Sequence, residues 1–158
     1  MRSRFYLVAF VLTLAGCGTI NLSRVEPFVD QVGHEQRLRQ PMVLVRDNLS
    51  YHEFNDCRII EPSLAHNLPS QISQIAAVEK GTPIKISSVH WLNAIDTQTV
   101  IAVTQVFVPN EGKWVDCEYL WNPGQHEYIR RAPWERESVP EKRFIGMGGK
   151  KYEASSQN

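Results

Sequence analysis

The chain has 158 residues, with 17 basic and 17 acidic side chains, 42% hydrophobic residues and three cysteines. That length suits a single domain. A formal net charge of zero argues against nucleic acid as the main partner, because phosphate binding needs an excess of basic residues on one face. The glycine-rich motifs of dinucleotide and nucleoside triphosphate sites are also missing from the sequence, so we predict no cofactor.

The N-terminus has the features of a bacterial secretory signal. Arg2 and Arg4 precede an apolar run over residues 5–16. As a helix this run would span about 18 Å, too short for a hydrocarbon core of about 30 Å. It ends in Leu14-Ala15-Gly16-Cys17, which resembles the lipobox of bacterial lipoproteins. The resemblance implies a signal peptide over residues 1–16 and acylation of Cys17.

The same resemblance implies a place in the cell. In lipoproteins of this class the cysteine carries a diacylglycerol on its thiol and an acyl group on its amino group. These three acyl chains exceed what stable anchoring requires, so we expect the protein to be held at a membrane through its lipid. In well-studied Gram-negative lipoproteins an aspartate after the acylated cysteine marks retention in the inner membrane, whereas this chain has Gly18. We therefore expect an outer-membrane lipoprotein facing the periplasm.

Two cysteines remain once Cys17 carries lipid. An even remainder in an oxidising compartment predicts one disulfide, between Cys57 and Cys117. No CxxC motif is present for redox chemistry, and no histidine stands at zinc-ligand spacing from either cysteine. The five histidines share no short ligand spacing either, so we predict no metal site.

Short apolar segments bounded by turn residues predict a mostly β domain over residues 28–133. We expect a small antiparallel barrel or sandwich. Gly81-Thr82 followed by a strand, a turn and a long central strand resembles bacterial SH3-like barrels, which favours a barrel of that kind. The predicted strands cover residues 42–45, 51–54, 57–60, 84–87 continued by 89–92, 99–108, 113–121 and 126–131.

The remaining segments are predicted to be less regular. Residues 17–27 contain few large apolar side chains and are interpreted as a lipidated tether, and residues 134–158 as a polar, partly disordered tail. Apolar residues at helical spacing favour a short helix near 68–79, and an extended lead-in to the next strand is the alternative. Asn122-Pro123-Gly124-Gln125 has the pattern of a type II turn.

Candidate chemistry is sparse. Asp116 and Glu118 stand two apart on the predicted strand 113–121, a spacing that a catalytic carboxylate pair could use. Solvated charges on an outer strand face are the simpler interpretation. No nucleophile motif of the GxSxG or SxxK type stands in a suitable context. We expect no enzymatic activity.

Aromatic residues concentrated in one third of the chain suggest a binding surface. Strand alternation places Tyr119 and Trp121 on the same face as Cys117, which leaves Trp114 on the opposite face. Aromatic and arginine side chains together are typical of interface hot spots. The predicted partner-binding residues are Trp114, Tyr128, Arg130, Arg131 and Trp134.

These features predict an interaction module. We expect a non-enzymatic, lipid-anchored β domain that binds an envelope protein or the peptidoglycan cell wall. The alternative is an inhibitor, immunity or exclusion lipoprotein that blocks a periplasmic toxin, a lysozyme or a step of phage infection.

Overall fold

A computed structural model describes residues 18–47, 54–93, 98–121 and 128–144. Cys17, the predicted turn at 122–125, most of the predicted strand 51–54 and the end of the predicted tail lie outside the described residues. The elements are β1 (Gly18–Asn21), β2 (Glu35–Arg37), β3 (Met42–Asp47), β4 (Cys57–Ile60), α1 (Pro62–Ala65), β5 (Ile72–Val78), β6 (Pro83–Asn93), β7 (Gln98–Val108), β8 (Lys113–Leu120), β9 (Tyr128–Arg130) and β10 (Lys142–Phe144).

The fold is mostly β, as predicted, and its main sheet has the strand order β1-β6-β7-β8-β4-β3-β5. β2 pairs with the same edge of β6 as β1, at the other end of that strand. The pairings within this sheet are antiparallel except that of β4 with β8, which is parallel. β9 and β10 form a separate two-stranded sheet. The predicted hairpin series β6-β7-β8 is confirmed.

The core lies on one face of the main sheet. On β7 the side chains of Val100, Ala102, Val106 and Val108 are buried on this face, as expected for alternation in a central strand. Thr104 shares their face and is also buried, and its hydroxyl donates to the carbonyl oxygen of Cys117 at 3.0 Å. The hydroxyl is therefore satisfied within the core.

The opposite face of the sheet is partly covered as well, which makes the fold sandwich-like. Val45 and Ile101 are buried there at 2% and 4% exposure. The segment before β4 contacts this face: the ring of Phe54 lies 4.4 Å from that of His90. Glu118 accepts hydrogen bonds from the backbone N–H groups of Phe54 and Asn55 at 2.6 and 2.8 Å.

The predicted helix near 68–79 is wrong, because residues 72–78 form β5 and pair with β3. The register between these strands shifts at Leu44/Val45. This irregularity lets two consecutive residues, Ile75 and Ala76, both pack against the core. Apolar side chains consequently recur at uneven intervals along a strand and imitate a helical pattern. The short helix α1 lies earlier in the chain.

The segment interpreted as a tether is also folded. β1 begins at Gly18, and Leu22 is 4% exposed and donates from its N–H to the carbonyl oxygen of Val89 at 2.8 Å. Backbone hydrogen bonds at residues 25, 28 and 29 then form successive turns. Backbone pairing with the edge of β6 orders this segment, although its low content of large apolar side chains does not predict a folded structure.

The first part of the predicted tail packs on the domain. Glu135 is 8% exposed, and its carboxylate accepts from the N–H of Ala132 and from Gln31 at 2.6 and 2.8 Å. Arg143 lies 2.7 and 2.6 Å from the two carboxylate oxygens. Charged residues in this segment thus partner one another in the interior instead of remaining solvated.

Candidate functional site

The predicted aromatic and arginine surface does not form as one patch. Trp114 lies near the start of β8, and its ring centroid is 5.6 Å from that of Phe107. The ammonium group of Lys85 sits 4.2 Å from the Trp114 ring centroid, a cation–π contact. Trp114 is therefore half-buried among residues of neighbouring strands.

Arg130 is anchored at the opposite end of β8. Its N–H donates to the carbonyl oxygen of Trp121 at 3.1 Å, and the Trp121 indole donates to the carbonyl oxygen of Arg130 at 2.7 Å. Seven residues of strand separate Trp114 from Trp121, which corresponds to about 23 Å. Trp114 and Arg130 thus belong to different surfaces, and the predicted juxtaposition of the two is wrong.

The guanidinium of Arg131 has intramolecular partners. It pairs with Glu141 at 3.0 Å and donates to the carbonyl oxygen of Glu137 at 2.9 Å. These contacts hold the loop between β9 and β10. The structure therefore gives Arg131 a role in fixing this loop. The side chain of Tyr128, at the start of β9, lies outside the described part of the chain.

Trp134 is a core residue with 2% exposure, not part of an exposed face. Its ring makes edge-to-face contacts with Tyr119 and Trp121, at centroid distances of 5.1 and 5.3 Å, the geometry that aromatic pairs favour. Its indole N–H donates to the side-chain oxygen of Gln31 at 2.7 Å. Because the sequence around Trp134 is polar, its burial was not predicted.

The predicted disulfide is present and joins two halves of the sheet. Cys57 on β4 and Cys117 on β8 form an S–S bond of 2.04 Å with a sequence separation of 60 residues. Both cysteines are buried. Because β4 and β8 form the parallel pair of the sheet, the bond links the β3-β4-β5 unit covalently to the β6-β7-β8 hairpins.

The two carboxylates singled out in the sequence differ in environment. Asp116 is exposed and accepts a hydrogen bond from Gln105 at 2.8 Å. Glu118, which we expected in solvent, is 1% exposed and receives the two backbone N–H groups described above. That arrangement fastens the segment before β4 to the sheet, so Glu118 has a structural role.

A cleft lies at the carboxyl ends of β4 and β8. It has a volume of about 150 Å³. β4 and α1 supply one wall, β8 supplies the other, and the exposed Arg130 stands at the rim. The lining residues are Arg58, Ile59, Ile60, Glu61, Leu64, Tyr119, Leu120 and Arg130.

The cleft is chiefly apolar with charged groups at its border. Leu64 on α1 is 63% exposed, the highest value among the exposed large hydrophobic side chains of the described residues. Ile60 and Leu120 are half-buried beside it. Arg58 and Arg130 are the basic residues of the lining, and Glu61 is the acidic one. An apolar lining beside the exposed Arg130 suits a partner that offers an apolar side chain and a carboxylate.

Tyr119 connects the cleft to the core. Burial raises the pKa of its phenol well above the ordinary value, and the carboxylates of Glu61, Glu135 and Glu141 raise it further, against an opposing effect of Arg130. Ionisation of the phenol is therefore displaced to more alkaline pH than in an exposed tyrosine.

Within the described residues, no group of three His, Cys, Asp or Glu side chains is placed to hold a metal ion. No helix in the same part of the chain is both long and apolar enough to span a membrane. Comparison of the chain with protein-family models, with curated proteins and with solved structures finds no match in any of the three.

Of the residues that line the cleft, Arg130 alone was predicted from the sequence to bind a partner. The parallel pairing of β4 with β8 creates the site, and the two strands are distant in sequence. The one local signal was Leu64, an apolar residue in the polar stretch between Pro62 and Asn67.

Proposed function

We propose that the protein is a non-enzymatic lipoprotein of the outer membrane, anchored through Cys17 and facing the periplasm, whose β domain binds a segment of an envelope protein. The lipobox-like sequence before Gly18 supports the anchor. The observation that carries the binding role is the cleft between β4, α1 and β8, with Leu64 exposed at its wall and Arg130 at its rim.

The chemistry of the cleft favours a peptide segment as the ligand. Leu64, Ile60 and Leu120 offer apolar surface that water hydrates poorly. A guanidinium beside such a surface can bind a carboxylate in a fixed geometry. An extended segment with one apolar side chain next to an Asp, a Glu or a free C-terminus would satisfy both features.

The experiment compares two arginines of equal charge. The full-length lipoprotein is purified in detergent with its partner from solubilised envelopes, the partner is identified by mass spectrometry, and its affinity is then measured with purified components. We expect Arg130→Glu to weaken binding at least tenfold, about 1.4 kcal/mol. Arg136→Glu, a charge reversal at another exposed position, should bind as the wild type does.

Leu64→Ala provides a second test without a charge change. Since Leu64 is 63% exposed, the thermal midpoint should change little while affinity falls. Wild-type affinity in both Arg130→Glu and Leu64→Ala would refute the cleft as the binding site. Retention of the purified lipoprotein on isolated sacculi, with loss in Arg130→Glu, would instead identify the cell wall as the partner.

A further inference from the structure

The folded domain begins one residue after the predicted site of acylation. Gly18 pairs with Asn93, and Ile20 pairs with Trp91 at the edge of β6. Leu22 then enters the core. A residue spans at most about 3.6 Å, so the chain provides no flexible spacer between an anchor at Cys17 and the sheet.

The chain segment that follows this point carries most of the exposed large apolar side chains of the described residues. Five large hydrophobic residues are exposed among the described residues, and three of them fall between positions 20 and 29. Ile20, Val25 and Val29 are 50%, 42% and 38% exposed, and are here named the N-terminal patch. The N–H of Val29 donates to the carbonyl oxygen of Val25 at 3.2 Å, which places these two valines on one turn.

We infer that the N-terminal patch contacts the lipid surface of the membrane in which the protein is anchored. The inference rests on the proposed lipid anchor at Cys17. With no spacer, the acyl chains hold Ile20, three residues after Cys17, next to the headgroups, and the turn that carries Val25 and Val29 follows directly after Leu22. Contact of these side chains with lipid is therefore an intramolecular event. Small apolar contacts that would be too weak for a free protein then suffice to orient the domain.

The charges around the patch indicate an apolar contact and not an electrostatic one. Arg24, Glu26 and Asp30 are exposed within the same segment, and their balance is negative. Docking on anionic lipid normally uses clusters of lysine and arginine, which residues 18–32 lack. We therefore expect the contact to be insensitive to salt and to anionic lipid.

This orientation also determines how far the cleft lies from the membrane. The strand order from β1 to β4 passes through β6, β7 and β8. Four inter-strand steps of about 4.8 Å place β4 no more than about 19 Å from the anchored edge across the sheet. The cleft is consequently presented close to the membrane, where it can reach membrane-associated segments of an envelope protein.

Single-cysteine labelling of the full acylated lipoprotein tests the inference. Cys17 carries lipid and the other two cysteines form the disulfide, so an introduced cysteine is the one free thiol. An environment-sensitive NBD label is attached to Val25→Cys, Val29→Cys or the control Ser138→Cys, at an exposed position outside the cleft. The proteins are reconstituted in vesicles of phosphatidylethanolamine and phosphatidylcholine, with or without phosphatidylglycerol and with lipids spin-labelled near the headgroup.

We expect labels at 25 and 29 to shift to shorter emission wavelength and to be quenched by the spin-labelled lipid. Neither 0.5 M NaCl nor phosphatidylglycerol should change this, and the label at 138 should remain in water. Equal, unquenched emission at all three positions in protein that floats with the vesicles would overturn the inference while leaving the anchor intact. A blue shift that persists in detergent and rises with protein concentration would overturn it in favour of a second copy of the chain.

The same preparations separate this inference from the proposed function. Intact mass reports acylation directly, and a protein without the added acyl mass would overturn both the anchor and the N-terminal patch contact. Partner binding by the cleft is measured in detergent. It can therefore fail or succeed independently of where the labels at 25 and 29 lie.

Discussion

Replacing Glu135 with alanine should destabilise the domain strongly, because its carboxylate joins three parts of the chain. The carboxylate accepts from the N–H of Ala132, from Gln31 and from Arg143. The side chains of Glu135 and Arg143 are only 4% and 18% exposed. Removing one partner of a buried ion pair costs about 3–5 kcal/mol, since the other charge is left without compensation. The unsatisfied N–H of Ala132 contributes to that cost.

Urea unfolding followed by fluorescence measures the loss. Glu135→Ala should unfold with a free energy about 3–5 kcal/mol lower than the wild type. In a double-mutant cycle, Arg143→Ala should cost less in the Glu135→Ala background than alone, with a coupling of about 0.5–3 kcal/mol. Glu137→Ala removes an exposed carboxylate from the same loop and should stay within about 0.5 kcal/mol of wild type. A Glu135→Ala variant as stable as Glu137→Ala would refute the view that residues 132–143 are part of the folded domain.

Replacing both Cys57 and Cys117 with serine opens a loop of 60 residues and should lower the free energy of unfolding by about 4 kcal/mol. An unchanged urea midpoint in the double variant would contradict a stabilising link between the β3-β4-β5 unit and the β6-β7-β8 hairpins. The folded state raises the pKa of Tyr119 above its unfolded value near 10, so its stabilising contribution is complete below pH 10 and is lost as the pH rises beyond it. Tyr119→Phe should therefore flatten the alkaline decline in the free energy of unfolding. Parallel plots of unfolding free energy against pH for the variant and the wild type would contradict this. Trp114→Ala should reduce stability through lost contact with Phe107 and Lys85 while leaving partner affinity at the cleft unchanged, and a specific loss of affinity at unchanged stability would reinstate Trp114 as a binding residue.

Local sequence patterns were sufficient to predict the strands whose neighbours in the sheet are also their neighbours in the sequence. The β-branched run of β7 and the alternation along β8 predicted the central hairpins and the burial of Cys117. The cysteine pair could be predicted by number, since two thiols remain once Cys17 is assigned to the predicted lipid. These features depend on residues close together in the chain or on the number of cysteines.

The predictions failed where distant segments meet. β1 is ordered by the edge of β6, some seventy residues later, and Trp134 is buried against Tyr119 and Trp121. Low local hydrophobicity made both segments resemble flexible ends. The cleft has the same origin, because it requires the parallel alignment of β4 with β8, which no local pattern in the sequence specifies.

Site-specific photo-crosslinking in intact cells is the sharpest test of partner binding at the cleft. A photoreactive residue replaces Leu64 at the wall of the cleft, or Ser138 at an exposed position elsewhere, in the whole chain with its N-terminal segment. We expect one discrete covalent adduct from position 64, absent from position 138, that is lost with Arg130→Glu and retained with Arg136→Glu. No adduct from position 64, or an adduct unaffected by Arg130→Glu, would contradict the proposal that this cleft binds a partner.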